Sequence, residues 1–152
     1  MKLKLKNQTI LITGSGSGIG RGIADGFLKE GASVIITDLN KKSLLKTVEQ
    51  FSTQYSEEKI LSFFGNLNKP DILEFLYQFI IDEAGGVDHL VCNIGSGKSV
   101  PPLDEDVAEF QRMLDINLLN AVGIVNQLYP LLEKSISKDS CFPSVTFVGS
   151  IC

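Results

Sequence analysis

The residues with the clearest chemical use are small ones. Thr13-Gly14-Ser15-Gly16-Ser17-Gly18-Ile19-Gly20 sets four glycines in eight positions. Apolar Ile10-Leu11-Ile12 leads in, and Ile19, Ile23 and Phe27 recur at helical spacing afterwards. Strand, glycine turn and helix in that order can hold a pyrophosphate. Gly14 allows the tight turn, Gly18 leaves no Cβ between backbone and phosphate, and Gly20 lets the helix lie close on the sheet. Ser17 and Ile19 stand with them where the unpaired first-turn N–H groups, aided by the helix dipole, face an anion. A Gly/Ser-rich surface loop is the alternative, and the flanking strand and helix argue against it. Asp38 follows Gly20 by 18 residues, at the end of the apolar run Ser33-Val-Ile-Ile-Thr37. A carboxylate there accepts hydrogen bonds from ribose hydroxyls and repels a 2′-phosphate. The alternative is a cap on the next helix. No Arg or Lys lies within the glycine turn, although Lys41 and Lys42 come soon after Asp38. The expected cofactor is therefore NAD, with NADP disfavoured.

These residues need elements to position them. The pattern predicts strand one over 8–13 and a first helix over 18–30, closed by Gly31. Gly22 and Gly26 share one side of that helix and predict close packing there. Strand two is Ser33–Thr37. A helix over 41–55 presents Leu44, Leu45, Val48 and Phe51, and Ile60–Phe64 is strand three. Pro70 opens a third helix with an apolar face of Ile72, Phe75, Leu76, Phe79 and Ile80, ended by Gly85-Gly86. Asp88–Cys92 is strand four. Asp104 to Glu133 holds the longest helix, apolar nearly all round beyond Met113, which requires cover on both faces. Asn117 inside it is an amide in need of partners. A polar loop over 134–143 leads to strand five, Val145–Gly149. Five strands alternating with four helices give a doubly wound parallel α/β sheet of order 3-2-1-4-5.

The glycine spacing is T-G-x-x-x-G-x-G, not G-x-G-x-x-G. Asp38, then Cys92-Asn93-Ile94-Gly95 after strand four, Asp115-Ile116-Asn117 and finally Ser150 after strand five follow in order. Together they resemble the short-chain dehydrogenase/reductase family, whose single-domain members run to about 250 residues. Family members carry Asn-Asn-Ala-Gly after strand four; Asn93 and Gly95 match, while Cys92 and Ile94 depart. The resemblance implies a Rossmann-type fold and an NAD-dependent oxidoreductase, with hydride passing reversibly between NAD and a carbonyl or alcohol. It makes Asn117 and Ser150 catalytic: Asn117 kinks its helix and holds a water, and Ser150 hydrogen-bonds the substrate oxygen. A helix-interface amide and a strand-end hydroxyl are the respective alternatives. Asn66 and Leu67 fall beside the adenine, where the family has Asp and a small apolar residue. Asn93 ties strand four to its neighbours, and Gly95 keeps backbone close to the nicotinamide ribose.

The family's general acid/base is a tyrosine beside a lysine. Tyr55-Ser-Glu-Glu-Lys59 has that spacing but comes before strand three, so it reads as coincidence. The resemblance covers about the first three-fifths of a typical member. Residues 1–152 are thus expected to be an incomplete NAD(P)-binding domain, cut after strand five, with the Tyr–Lys pair beyond Cys152. A non-catalytic dinucleotide-binding module is the competing reading. The family also implies a homodimer or homotetramer through the helix of Asn117.

Composition narrows the rest. The chain has 152 residues, 43% apolar and 21% charged, as in a soluble globular domain; the small-molecule substrate is what the resemblance implies. A net charge of −4 gives no footprint for nucleic acid or an anionic membrane. The uncharged stretch Ile116–Leu132 contains Asn117, Asn120, Asn126, Gln127 and Pro130, which argues against a membrane span. Cys92, Cys141 and Cys152 form no C-x-x-C pair and read as reduced thiols of a cytoplasmic protein. His89 is the sole histidine, so no metal is expected. Gly95-Ser-Gly-Lys-Ser99 looks like the end of a P-loop, but Cys92 stands where its first glycine belongs and Val100-Pro101-Pro102 blocks the helix. It reads as a loop over the active site, with Lys98 either solvated or facing an anionic substrate group.

Overall fold

A computed structural model describes residues 5–97, 106–136 and 142–149. The sheet is fully parallel in its described part. It contains β1 (Thr9–Ile12), β2 (Ser33–Asp38), β3 (Ile60–Phe64), β4 (His89–Cys92) and β5 (Ser144–Phe147), ordered β3-β2-β1-β4-β5. The order is the expected one. Leu11 stands level with Ile35 on one side and Leu90 on the other. Such strands are buried on both faces, hence their continuous apolar runs.

Alternate residues feed two cores. Leu11, Ile35, Leu90 and Cys92 face one layer, built by α3 (Pro70–Phe79) and α5 (Asn120–Ser135). Ile10, Ile12, Val34, Ile36 and Val91 face the other, built by α1 (Gly18–Lys29) and α2 (Lys41–Ser52). Chain order reverses between β1 and β4, so a crevice opens at their carboxyl ends.

Several helix faces differ from the expectation. Gly22 and Gly26 are exposed, with nothing within 4 Å of a Cβ added there; α1 is held instead through Gly20, Ala24 and Leu28. Ile19 is 68% exposed. On α2, Leu44, Thr47 and Phe51 are buried while Leu45 points outward, and the helix stops at Ser52. On α3, Leu73 takes the place expected for Phe75, which is exposed. A π-turn, Ile80–Ala84, precedes Gly85.

The long helix is not uniform either. It consists of α4 (Val107–Leu114), a π-turn at Asp115–Leu119, and α5 running on to Ser135. Asn117 therefore sits in a turn with one residue inserted, the kind of break found at functional positions. Val125 is half-buried against the core, so the outward face is carried by Leu118, Leu119 and Val122. Strand five begins at Ser144 and ends at Phe147, shifted from the expected Val145–Gly149. No described helix is long and apolar enough to cross a membrane.

Candidate functional site

The crevice at the strand ends is a cleft of about 720 Å³. Gly14, Ser17, Gly18 and Ile19 form one wall, Asp38, Asn66 and Leu67 a second, and Asn93 and Gly95 a third. Nine of the ten expected cofactor residues thus line a single space. Gly20 lies behind it. A Cβ at Gly20 would stand 2.4 Å from the Gly14 carbonyl oxygen and 2.6 Å from Asn93 Nδ2, so only glycine fits. Gly18 has φ of +54° and open space above it.

The turn is fixed from three sides. Asn93 Nδ2 donates to the carbonyls of Thr13 and Gly14, each at 3.1 Å. Thr13 Oγ1 accepts from the N–H groups of Asn93 and Ile94. Ser15 Oγ donates to the Ile12 carbonyl at 2.7 Å and accepts from the Thr37 N–H at 3.0 Å. Asp38 Oδ2 accepts from the Gly16 N–H at 2.9 Å, and Oδ1 accepts from the Asn40 N–H at 2.8 Å. Asp38 does not cap α2; the Asn40 side chain does, accepting from the Ser43 N–H. The carboxylate is instead held at the cleft edge against the glycine turn.

These residues fit a dinucleotide. The N–H groups of the first turn of α1 have no intrahelical acceptors. The Ser17 side chain makes no cap bond, and the first turn holds no acid. Asp38 beside that turn supplies acceptors suited to a ribose diol. Thr37, another lining residue, has a buried Oγ1 without a hydrogen-bond partner among the described residues.

At the far end, Asn117 clasps the loop after β4. Its Oδ1 accepts from the Ser96 N–H and its Nδ2 donates to the Ser96 carbonyl, both at 2.8 Å. A Cβ on Gly95 would come 3.2 Å from that Oδ1. Asn117 thus reaches the cleft wall through Ser96. Ser150 and Lys98 lie outside the described residues. Sequence reasoning missed Arg112, Ile116, Asn68 and Asn120, which also line the cleft. Arg112 is bound twice by Glu109, whose carboxylate pushes the guanidinium pKa further up. The spacing from Arg112 to Ile116 is one helical turn, a signal that was available.

The early Tyr55–Lys59 spacing serves packing. Tyr55 donates to Asp25 Oδ1 at 2.6 Å, and this bond pushes its phenol pKa up, away from what a general base needs. Lys59 Nζ donates to the Gly31 carbonyl, next to the start of β2. His89 on β4 joins β5 to the segment before β1: Nδ1 meets Ser144 Oγ at 2.8 Å and Nε2 meets Gln8 Oε1 at 2.7 Å. No cluster of metal-ligating side chains occurs among the described residues.

Known proteins share this chain's sequence pattern and fold. The family model described as short chain dehydrogenase matches residues 8–140. The 7alpha-hydroxysteroid dehydrogenase of Escherichia coli K12 is 31% identical over 133 residues, 88% of this chain and 51% of that protein. The 3-ketoacyl-(acyl-carrier-protein) reductase of Brucella melitensis, solved with NADH, superposes with a TM-score of 0.86 at 26% identity, over 97% of this chain and 59% of that one. L-Sorbose reductase of Gluconobacter frateurii, solved with NADPH and L-sorbose, gives 0.82 at 25% identity, over 88% and 51%. The chain spans about half the length of the curated relatives it matches. With its glycine turn, sheet order and sequence all in agreement, the chain belongs to the short-chain dehydrogenase family.

Proposed function

We propose that these residues are the cofactor-binding part of an NAD-dependent oxidoreductase acting on a small alcohol or carbonyl compound. The observation that carries this reading is the uncapped N-terminus of α1, opening on a cleft whose edge is Asp38. First-turn N–H groups bind the pyrophosphate, and Asp38 takes the adenosine ribose. Asp38 favours NAD because a 2′-phosphate would meet its charge. Asn66 and Leu67 border the adenine; Gly95 admits the nicotinamide ribose. Bound nicotinamide supplies the hydride chemistry. Asn117 orders a water next to the loop it clasps, and Ser150 holds the substrate oxygen. The Tyr–Lys proton donor belongs to sequence beyond Cys152, in keeping with the half-length match.

Exposed Leu118, Leu119 and Val122 on the outward side of this helix suit pairing with a second copy. Light scattering of Val122→Glu should then show weaker association, since an unpaired charge would be buried. The function is tested by offering the full-length protein NAD with sugars, polyols, hydroxyacyl thioesters and hydroxysteroids. NADH should form with one class, and Asn117→Ala should lower kcat by about 10²-fold. No NADH formation with any class, or an unchanged kcat in Asn117→Ala, would overturn the assignment.

A further inference from the structure

Asn120 is the first residue after the π-turn and is only 6% exposed. Its Nδ2 donates to Asn68 Oδ1 at 2.6 Å, across 52 positions of sequence. Asn68 is itself fixed, because its N–H donates to Asn66 Oδ1 at 3.1 Å. The Asn66 side chain thus holds the Asn68 backbone, and the Asn68 side chain holds Asn120, in one linked set of three residues. It joins the loop after β3 to the turn that bears Asn117. Asn68 and Asn120 also line a second recess of about 380 Å³, between α3 and the π-turn, as well as the main cleft. Their bond lies in the wall between the two spaces. One helical turn on, a Cβ added at Gly123 would stand 3.7 Å from Leu73 Cδ1, an ordinary contact, so α5 lies beside α3 here.

We propose that Asn120 is a positioning residue: through Asn68 it holds the loop at Asn66 and Leu67 and the π-turn bearing Asn117 in one fixed relation across the cleft. A π-turn carries one inserted residue and recurs at functional positions, and a tie to a neighbouring loop would hold it in one geometry. A part-buried amide pair supplies one, and removing either partner leaves the other's polar group unsatisfied. The proposal rests on the dinucleotide reading given above for its catalytic consequence, but the tie itself can be read without cofactor.

The test uses the full-length protein with Asn120→Leu, Asn68→Leu, the double variant and Asn68→Asp. Hydrogen exchange without cofactor should quicken about tenfold across 115–119 in Asn68→Leu, although the substitution lies in another loop. NADH affinity and kcat should each fall about tenfold in either single variant, and the double variant should fall no further. Asn68→Asp, which keeps the acceptor, should recover most of the loss. If Asn120→Leu does not fold, Asn68→Leu in the surface loop gives the same reading. Unchanged exchange at 115–119 in Asn68→Leu overturns the proposal, as does a lower melting temperature with NADH affinity and kcat intact. If the unmodified protein binds no NADH, the dinucleotide reading fails, and the exchange measurement still decides the tie.

Discussion

Helices α1 and α2 follow neighbouring parallel strands and start at the same edge of the sheet, yet their first turns are finished differently. At α2 the Asn40 side chain accepts from the Ser43 N–H at 3.0 Å. At α1 the matching residue is Ser17, which can make the same bond and does not. A good cap is worth about 1 kcal/mol. The fold takes that stabilisation at α2 and forgoes it at α1, where Ser17, Gly18 and Ile19 face the cleft. The contrast separates a helix end closed by its own side chain from one left open toward the cleft, as the proposed dinucleotide site requires.

The largest expected effect comes from filling the space behind the open turn. Gly20→Ala should lower unfolding free energy by about 3 kcal/mol in denaturant titration, because the new Cβ meets the Gly14 carbonyl and Asn93. Gly22→Ala, two residues on and in open space, should raise it by up to about 1 kcal/mol. Equal effects at the two glycines would remove the distinction between turn and helix surface.

Charge placed in the first turn of α1 gives the sharpest contrast with α2. Ile19→Glu should stabilise the cofactor-free protein by about 0.3–1 kcal/mol through the helix dipole. The same change should weaken NADH at least about tenfold, or about 1.4 kcal/mol, relative to the uncharged Ile19→Gln. At α2, Asn40→Ala should cost about 1 kcal/mol of stability and leave NADH affinity where it was. Loss of affinity at Asn40 as large as at Ile19 would mean the two helix ends are not specialised.

The smallest effect lies away from both helices. Burial holds the His89 pKa below its ordinary value, against a weaker opposing pull from Asp88. The unfolded chain therefore binds the proton more readily. Stability should be full above about pH 6.5 and fall as pH drops toward the folded pKa. Denaturation midpoints across that range should show the slope, and His89→Gln should flatten it.

How far the sequence could be read follows from the same physics. Runs such as Ile10-Leu11-Ile12 and Ser33–Thr37 are apolar on both faces, and only a central parallel strand uses them fully; with strands and helices alternating, the doubly wound order was legible from connection rules. The glycine turn was legible because Gly18 and Gly20 answer to backbone geometry. The faces of α1 and α3 were not, since Ile19 and Phe75 keep helical spacing while pointing outward. A π-turn leaves no mark on composition, so the break at Asp115–Leu119 was foreseen only through the family resemblance, which implies a kink at Asn117. The bond between Asn68 and Asn120 joins residues far apart in sequence, and neither residue announces the other. Asp38 was placed correctly at its strand end, but its hold on the Gly16 N–H needed coordinates to be seen.

The central claim is that the open end of α1 and Asp38 together form a site for NAD. Isothermal titration of the full-length protein with NADH and with NADPH, repeated in Asp38→Ala, tests it most directly. The account predicts tighter NADH in the unmodified protein and a gap that shrinks by about 1–3 kcal/mol in Asp38→Ala, where the charge facing a 2′-phosphate is gone. Tighter NADPH in the unmodified protein, or a gap untouched by the substitution, would contradict it.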